Sequence, residues 1–367
     1  MNDNDHRWVA TPEDLHAHFA APPSRIGLDT EFIRERTYWP QLALVQIAVN
    51  EAVLLVDSLA PGIPEALAPI LTDGNVLKVM HSASEDLVAF KHACGVVPAP
   101  LFDTQVAAAL AGVGAGIGYQ KLVMETLDVP LEKGETRSDW LRRPLSASQL
   151  QYAADDVRHL FALHDALRGR LEALDRLAWC AEDCARMAAN ARADELERWP
   201  HLSLRAAQYL DSDAQRRLLR LLRWRDAYAR DSDRPRTWIL DNELATGLAR
   251  DPPIDLAGVQ RQLDAHPKAS RRLADPIGKS LSTPLADEDD APAPRSDDRD
   301  KRALRRLQDA VAARSAELEL PDGVLASRRW LQALMDGDDW PGMLGGWRRA
   351  QLEPTLAPLL AEAVAPS

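Results

Sequence analysis

Four acidic side chains and one tyrosine have the types and spacing to do chemistry: Asp29 with Glu31, then Asp86, then Tyr152 with Asp156. Asp29 and Glu31 lie within Ile26-Gly27-Leu28-Asp29-Thr30-Glu31-Phe32, which reads as a buried strand. Side chains two apart on a strand share a face. Two carboxylates side by side in a low-dielectric site repel each other, so a fold keeps them there with a compensating cation. Hard oxygen ligands of this kind suit Mg²⁺ or Mn²⁺. Taken alone, the pair also fits a strand end open to water. The second segment follows a short strand over residues 76–80, where His81-Ser82-Ala83-Ser84-Glu85-Asp86 opens a helix. Ser82 and Glu85 have capping-box spacing, which assigns Glu85 to a backbone donor and leaves Asp86 free. In the third segment Tyr152 and Asp156 are four apart in a helix and stack on one face.

The elements that must hold these residues can be followed along the chain. Thr11-Pro12-Glu13-Asp14 reads as a helix start, with Thr11 as cap and Pro12 in the first turn. Strand-like runs at residues 25–32, 42–49 and 52–57 form a meander, and helices then alternate with a further strand near Val76. That pattern predicts an α/β domain with a mixed sheet and helices on both faces. Asp103, just before residues 104–111, is a fifth carboxylate and is assigned to helix capping. Gly112, Gly114, Gly116 and Gly118 lack the Gly-Lys-Ser/Thr ending of a phosphate loop and read as a linker between helices. From Ser146 to about Arg198 the chain reads as long helices, punctuated by Trp199-Pro200.

Set in this order and spacing, the segments resemble the DEDD superfamily of 3′→5′ exonucleases, in the subgroup whose third motif is Tyr-x-x-x-Asp (DEDDy). The bacterial ribonuclease D family is the nearest likeness. Gly27-Leu28-Asp29-Thr30-Glu31-Phe32 resembles the first motif and His81 to Asp86 the second. Ser138-Asp139-Trp140-Leu141-Arg142-Arg143-Pro144-Leu145, running on to Tyr152-Ala153-Ala154-Asp155-Asp156-Val157, resembles the third with its lead-in. The resemblance implies a ribonuclease H-like α/β exonuclease domain over residues 1–200, followed by one or two small all-α HRDC-type (helicase-and-RNase-D C-terminal) domains. It also implies two divalent metal ions, Mg²⁺ or Mn²⁺, about 3.5–4 Å apart across the scissile phosphate. In that scheme Asp29 bridges both ions, Glu31 and Asp156 complete the site that activates water, and Asp86 holds the second ion largely through water. Tyr152 positions or deprotonates the nucleophile. Asp155 is three residues from Tyr152 and competes on helical geometry, but the family spacing selects Asp156 and leaves Asp155 to solvent or an arginine.

The implied activity is that of a 3′→5′ exoribonuclease trimming tRNA precursors and other small structured RNAs by two-metal-ion hydrolysis, releasing nucleoside 5′-monophosphates. A DNA 3′→5′ exonuclease of repair or proofreading type would use the same metal site. A non-catalytic RNA-binding protein is the third reading, disfavoured because the four acids and the tyrosine are all present. The expected partner is RNA with an accessible 3′ end, with no obligate protein partner and a monomeric state. No run of about 18 apolar residues and no basic-then-apolar leader occurs, so neither membrane association nor export is expected, and the cytoplasm is the expected compartment. Three cysteines are too few for a disulfide framework, and Cys180 and Cys184, one helical turn apart, read as small buried hydrophobes rather than a metal pair.

A net charge of −12 sits oddly with a nucleic-acid enzyme. Residues 1–200 hold 18 Lys and Arg against 29 Asp and Glu. Divalent ions at the site and local basic patches answer this. Residues 205–240 supply nine Arg against five Asp. There Leu218, Leu221 and Leu222 make an apolar stripe, and Arg216, Arg220 and Arg223 line the other side of the helix. Arg234-Pro235-Arg236-Thr237-Trp238-Ile239-Leu240-Asp241 resembles the signature of the HRDC domain, assigned to residues 203–285. RNA contacts are accordingly expected at Arg216, Arg220, Arg223 and Arg236, and at Arg137, Arg142 and Arg143 ahead of the catalytic helix. Residues 286–300 read as a mobile acidic linker, and 301–367 as a second, degenerate HRDC-like domain.

Overall fold

Residues 42–49, Leu-Ala-Leu-Val-Gln-Ile-Ala-Val, form an almost unbroken apolar run, and the chain buries it as a central strand. The structure, a computed structural model, describes residues 6–131, 134, 138–193, 195–266, 269–292, 301–337 and 339–364. The chain divides into two units. One gathers Met1–Ile33, Gln41–Ala193 and Asp300–Ser367; the other gathers Arg34–Pro40 and Asp194–Arg299.

The first unit runs β1 (His6–Val9), α1 (Pro12–Ala17), β2 (Arg25–Ile33), β3 (Gln41–Val49), β4 (Ala52–Val56), α2 (Ile63–Thr72), β5 (Leu77–Met80), α3 (Ser84–Cys94) and β6 (Leu101–Asp103). Helices α4 (Thr104–Leu110), α5 (Tyr119–Leu127), α6 (Ala147–Arg158), α7 (Leu160–Ala173) and α8 (Leu177–Ala193) follow. Among the described residues the sheet has six strands in the order β1-β4-β3-β2-β5-β6. The meander β2–β3–β4 is antiparallel, while β1 joins β4, and β5 and β6 join β2, in parallel. This is the mixed, helix-flanked sheet that the alternation of elements predicts. Helix α6 lies on β2, β3 and β4. Gly27 is where the chain needs glycine: a methyl group there would sit 3.1 Å from Ala48 and 3.2 Å from Leu160. Thr11 caps α1, accepting the Asp14 N–H at 3.2 Å.

Two helix starts meet at one carboxylate. Asp103 accepts the N–H groups of Gln105 (2.8 Å) and Val106 (3.0 Å) at the head of α4, as its position predicts. Its other oxygen accepts the Ala83 N–H at 2.7 Å, at the head of α3. The capping box expected between Ser82 and Glu85 does not form. Ser82 adopts a left-handed backbone (φ 57°) instead of the extended conformation of an N-cap. Cys180 and Cys184 are free and buried, and the Asp103 N–H points at the Cys184 sulfur at 3.3 Å.

The second unit is helical: α9 (Ser212–Asp231), α10 (Arg236–Ile239), α11 (Asn242–Arg250), α12 (Leu256–Asp264) and α13 (Ala274–Ser282). Leu218, Leu221 and Leu222 face its core as their spacing predicts. Residues 34–40 also belong to this unit, with Tyr38 buried in its core and both the Tyr38 and Trp39 N–H groups on Asp233 at 3.0 Å. The arginines expected to face RNA are engaged within the unit. Arg220 grips Glu288; Arg223 grips Asp287 (2.7 Å); Arg216 meets Asp213 (2.9 Å) and Asp289 (3.0 Å); Arg236 pairs with Asp226 and donates to the Tyr38 hydroxyl at 2.6 Å. The start of the expected acidic linker is therefore a 3₁₀ turn, Glu288–Asp290, pinned to the arginine face of α9. Opposite charges placed across a contact explain both departures. The remainder of that linker, residues 293–300, lies outside the described residues.

The expected separate domain over residues 301–367 is instead part of the first unit. Helices α14 (Lys301–Glu317), α15 (Arg328–Met335) and α16 (Trp347–Val364) share its core through Leu304, Leu307, Leu331, Trp347 and Leu352. Trp347 stacks on Trp179 (4.4 Å, 5° between planes), and its indole N–H donates to Asp183 at 3.1 Å. Arg348 closes a buried two-pronged pair on the same carboxylate at 2.6 and 2.9 Å. Among the described residues no helix is long and apolar enough to cross a membrane.

Candidate active site

Strand β2 presents Asp29 and Glu31 on one face, opposite Gln46 and Leu44 of β3 in the antiparallel register. Asp86 stands in the first turn of α3 and is 8% exposed. Helix α6 starts at a complete capping box: the Ser146 hydroxyl accepts the Gln149 backbone N–H at 3.2 Å, and the Gln149 side-chain Oε1 accepts the Ser146 backbone N–H at 2.9 Å. That start sets Tyr152 and Asp156 on successive turns of one face, with the Tyr152 hydroxyl donating to the Asp156 carboxylate. Asp29, Glu31, Tyr152 and Asp156 are all half-buried, so the acid recess they line keeps some exposure.

Crowding shows in the acidities. Asp29 is pushed far above the usual carboxylate range by burial first, then by repulsion from Asp86, Asp156 and Glu31. Burial, with Asp156 and Asp86 nearby, raises Glu31 to about 9. Burial likewise lifts Asp86 and Asp156 to about 7, although Thr30 and Tyr152 respectively donate hydrogen bonds that pull them back. Tyr152 is also pushed up, by burial and then by Asp156, Glu31 and Asp29. Among the described residues no Lys or Arg pairs with any of the four acids.

A crowded acid set of this kind fits a divalent cation in its donor chemistry: hard oxygens, excess negative charge and no built-in counter-ion. The side chains stand apart as placed, since among the described residues no three acidic, histidine or cysteine groups close on one point.

Three supporting residues escape the spacing argument. Thr30, between the two acids of β2, turns its hydroxyl to Asp86. Tyr119, at the start of α5, donates its hydroxyl to the Asp155 carbonyl at 3.0 Å and accepts the His159 N–H at 3.2 Å, spanning the α6–α7 junction one residue from Asp156. Gly134 lies against the Tyr152 ring so closely that any side chain there would overlap it. Asp155 turns away, pairing with Arg158 at 3.0 Å. Arg143 is not free to meet RNA: it holds Asp57 (2.6 and 3.1 Å) and donates to the carbonyls of Ala43, Trp140 and Arg142. Arg142 is exposed, and Arg137 lies outside the described residues.

Comparison with known proteins places the chain in a family. Residues 7–172 match a 3′-5′ exonuclease family. The chain is 62% identical to ribonuclease D of Xanthomonas oryzae pv. oryzae, over 96% of this chain and 98% of that one. It is 36% identical to ribonuclease D of Pseudomonas paraeruginosa, over 92% of each. The crystal structure of Escherichia coli RNase D, described as an exoribonuclease involved in structured RNA processing, superposes with a TM-score of 0.82 at 29% identity over 99% of both chains. The chain belongs to the ribonuclease D family and is a 3′→5′ exoribonuclease.

Proposed function

We propose that this enzyme trims the 3′ ends of structured RNAs, chiefly tRNA precursors, removing one nucleoside 5′-monophosphate at a time with two divalent ions. One observation carries the reading: four carboxylates lie near enough to repel one another beside the Tyr152 hydroxyl, with no Lys or Arg paired to them among the described residues. Asp29, Glu31 and Asp156 would hold one ion, and Asp29 with Asp86 the other. Such ions, when bound, supply Lewis acidity toward the phosphate and a water. The chain's own part is orientation. In the metal-free protein burial and the neighbouring acids hold the proton on Tyr152, and that O–H is turned to Asp156, so the hydroxyl oxygen would orient the attacking water by accepting from it rather than by deprotonating it. The exposed Arg142 offers a phosphate contact without base selectivity. The structured-RNA role described for the Escherichia coli relative supports the substrate class.

Matched RNA and DNA duplexes with 3′ overhangs, and a tRNA carrying extra 3′ residues, test the reading when incubated with Mg²⁺. RNA should shorten from its 3′ end with 5′-monophosphates as products, the tRNA should stop near its mature end, and chelation should halt both. Faster loss of the DNA overhang would favour a DNA exonuclease instead.

A further inference from the structure

Gln46 is fully buried in the middle of β3, and neither its carboxamide nitrogen nor its carbonyl oxygen has a hydrogen-bond partner. A primary amide in such a place loses its water and gains nothing in return, so the fold carries it at a cost unless a partner arrives. Its position says which partner. In the β2–β3 register Gln46 stands directly across from Asp29, so both side chains project from the same face of the sheet. Cross-strand neighbours of this kind have β-carbons about 4.5–5.5 Å apart, within reach of a glutamine side chain. Helix α6, which carries Tyr152 and Asp156, packs on both β2 and β3.

We propose that Gln46 is a positioning residue for the metal site. With cations bound at the acid recess, the Gln46 Nε2–H would donate to the Asp29 carboxylate and hold that carboxylate in place as a ligand. The idea rests on the two-ion reading above and adds to it a specific outer partner for Asp29. A carboxylate that ligates metal is held by a hydrogen bond from behind in most such sites, and losing that bond weakens the metal about 10–100-fold. Among the described residues Asp29 otherwise accepts only the backbone N–H of Thr30. Gln46 is the neutral donor best placed to supply the second.

Three full-length proteins decide the matter by calorimetric titration with Mn²⁺ alone: the parent, Gln46→Met and Asp29→Asn. Methionine keeps the volume and removes the amide. Gln46→Met should melt no lower than the parent without metal, since an unpaired buried amide has been removed, yet bind Mn²⁺ at least tenfold more weakly. On RNA, kcat should fall with KM little changed. Mn²⁺ affinity equal to the parent's in Gln46→Met, with binding lost in Asp29→Asn, overturns the role of Gln46. Unchanged binding in Asp29→Asn overturns the metal reading itself. Should Gln46→Met fail to fold, the side-chain amide resonances of Gln46 in ¹⁵N-labelled parent protein decide alone. A shift on adding Mg²⁺ supports the proposal, and an unmoved pair overturns it.

Discussion

Asp156 and Asp155 are neighbours of the same chemical type, and the structure separates them by partner: Asp156 meets the Tyr152 hydroxyl within the acid recess, while Asp155 is taken by Arg158. Asp156→Ala should therefore abolish RNA hydrolysis and Mn²⁺ binding, while Asp155→Ala keeps activity within a few-fold of the parent. The reverse outcome would move the third motif by one residue. Tyr152→Phe should keep Mn²⁺ affinity and lose roughly 10²-fold in kcat, the lower range for a side chain positioned at the transferring proton. Asp29 with Glu31 and Tyr152 with Asp156 became candidates from local spacing, two apart on a strand and four apart on a helix, whereas Asp86 rested on the resemblance of its segment and on a capping box that does not form. The arginines could not be placed from spacing. Whether Arg143 meets RNA or Asp57 depends on a loop folded back from 86 positions away, which no spacing records.

The elements that carry the site are aligned by buried polar groups as much as by apolar packing. Asp103 serves the heads of both α3 and α4 and is fully buried, so Asp103→Ala should cost on the order of 2–3 kcal/mol in urea unfolding and lower activity through Asp86. A loss under 0.5 kcal/mol would show that α3 is set by packing alone. Tyr119→Phe removes the hydroxyl that spans the α6–α7 junction. It should cost about 1 kcal/mol and reduce turnover several-fold while leaving Tyr152 in place. Strands β2 to β5 were legible because their apolar runs are long or well bounded, whereas β1 and β6, of four and three residues, were not. The capping of α3 was not, because a serine–glutamate pair at the right spacing lost to a carboxylate arriving from β6, a choice made by tertiary contact.

Across the first unit, residues 301–367 read in sequence as a second, HRDC-like domain because they follow an acidic stretch and weakly resemble that module. The sequence does not say what an apolar face packs on, and here it completes the core of the catalytic unit. Asp183→Ala, which strands the buried Arg348 charge, should destabilise that whole unit by about 3–5 kcal/mol and shift its melting together with activity. Loss of the terminal helices alone, with the rest melting unchanged, would mean they are a separate body after all. The acid recess adds a pH dependence. An acid whose pKa is raised by folding favours the folded state at low pH, and that contribution is lost as pH rises through the folded value. For Asp86 and Asp156 that lies near 7 and for Glu31 near 9. The metal-free protein should thus melt progressively lower from pH 5 to pH 9, and Mg²⁺ should restore it most at the alkaline end. All of this depends on those acids gripping cations at an RNA terminus. Crystals soaked in Mn²⁺ and a nucleoside 5′-monophosphate should give two anomalous peaks among Asp29, Glu31, Asp86 and Asp156, with the phosphate between them. A well-ordered nucleotide there with no anomalous peak beside those carboxylates would contradict the account.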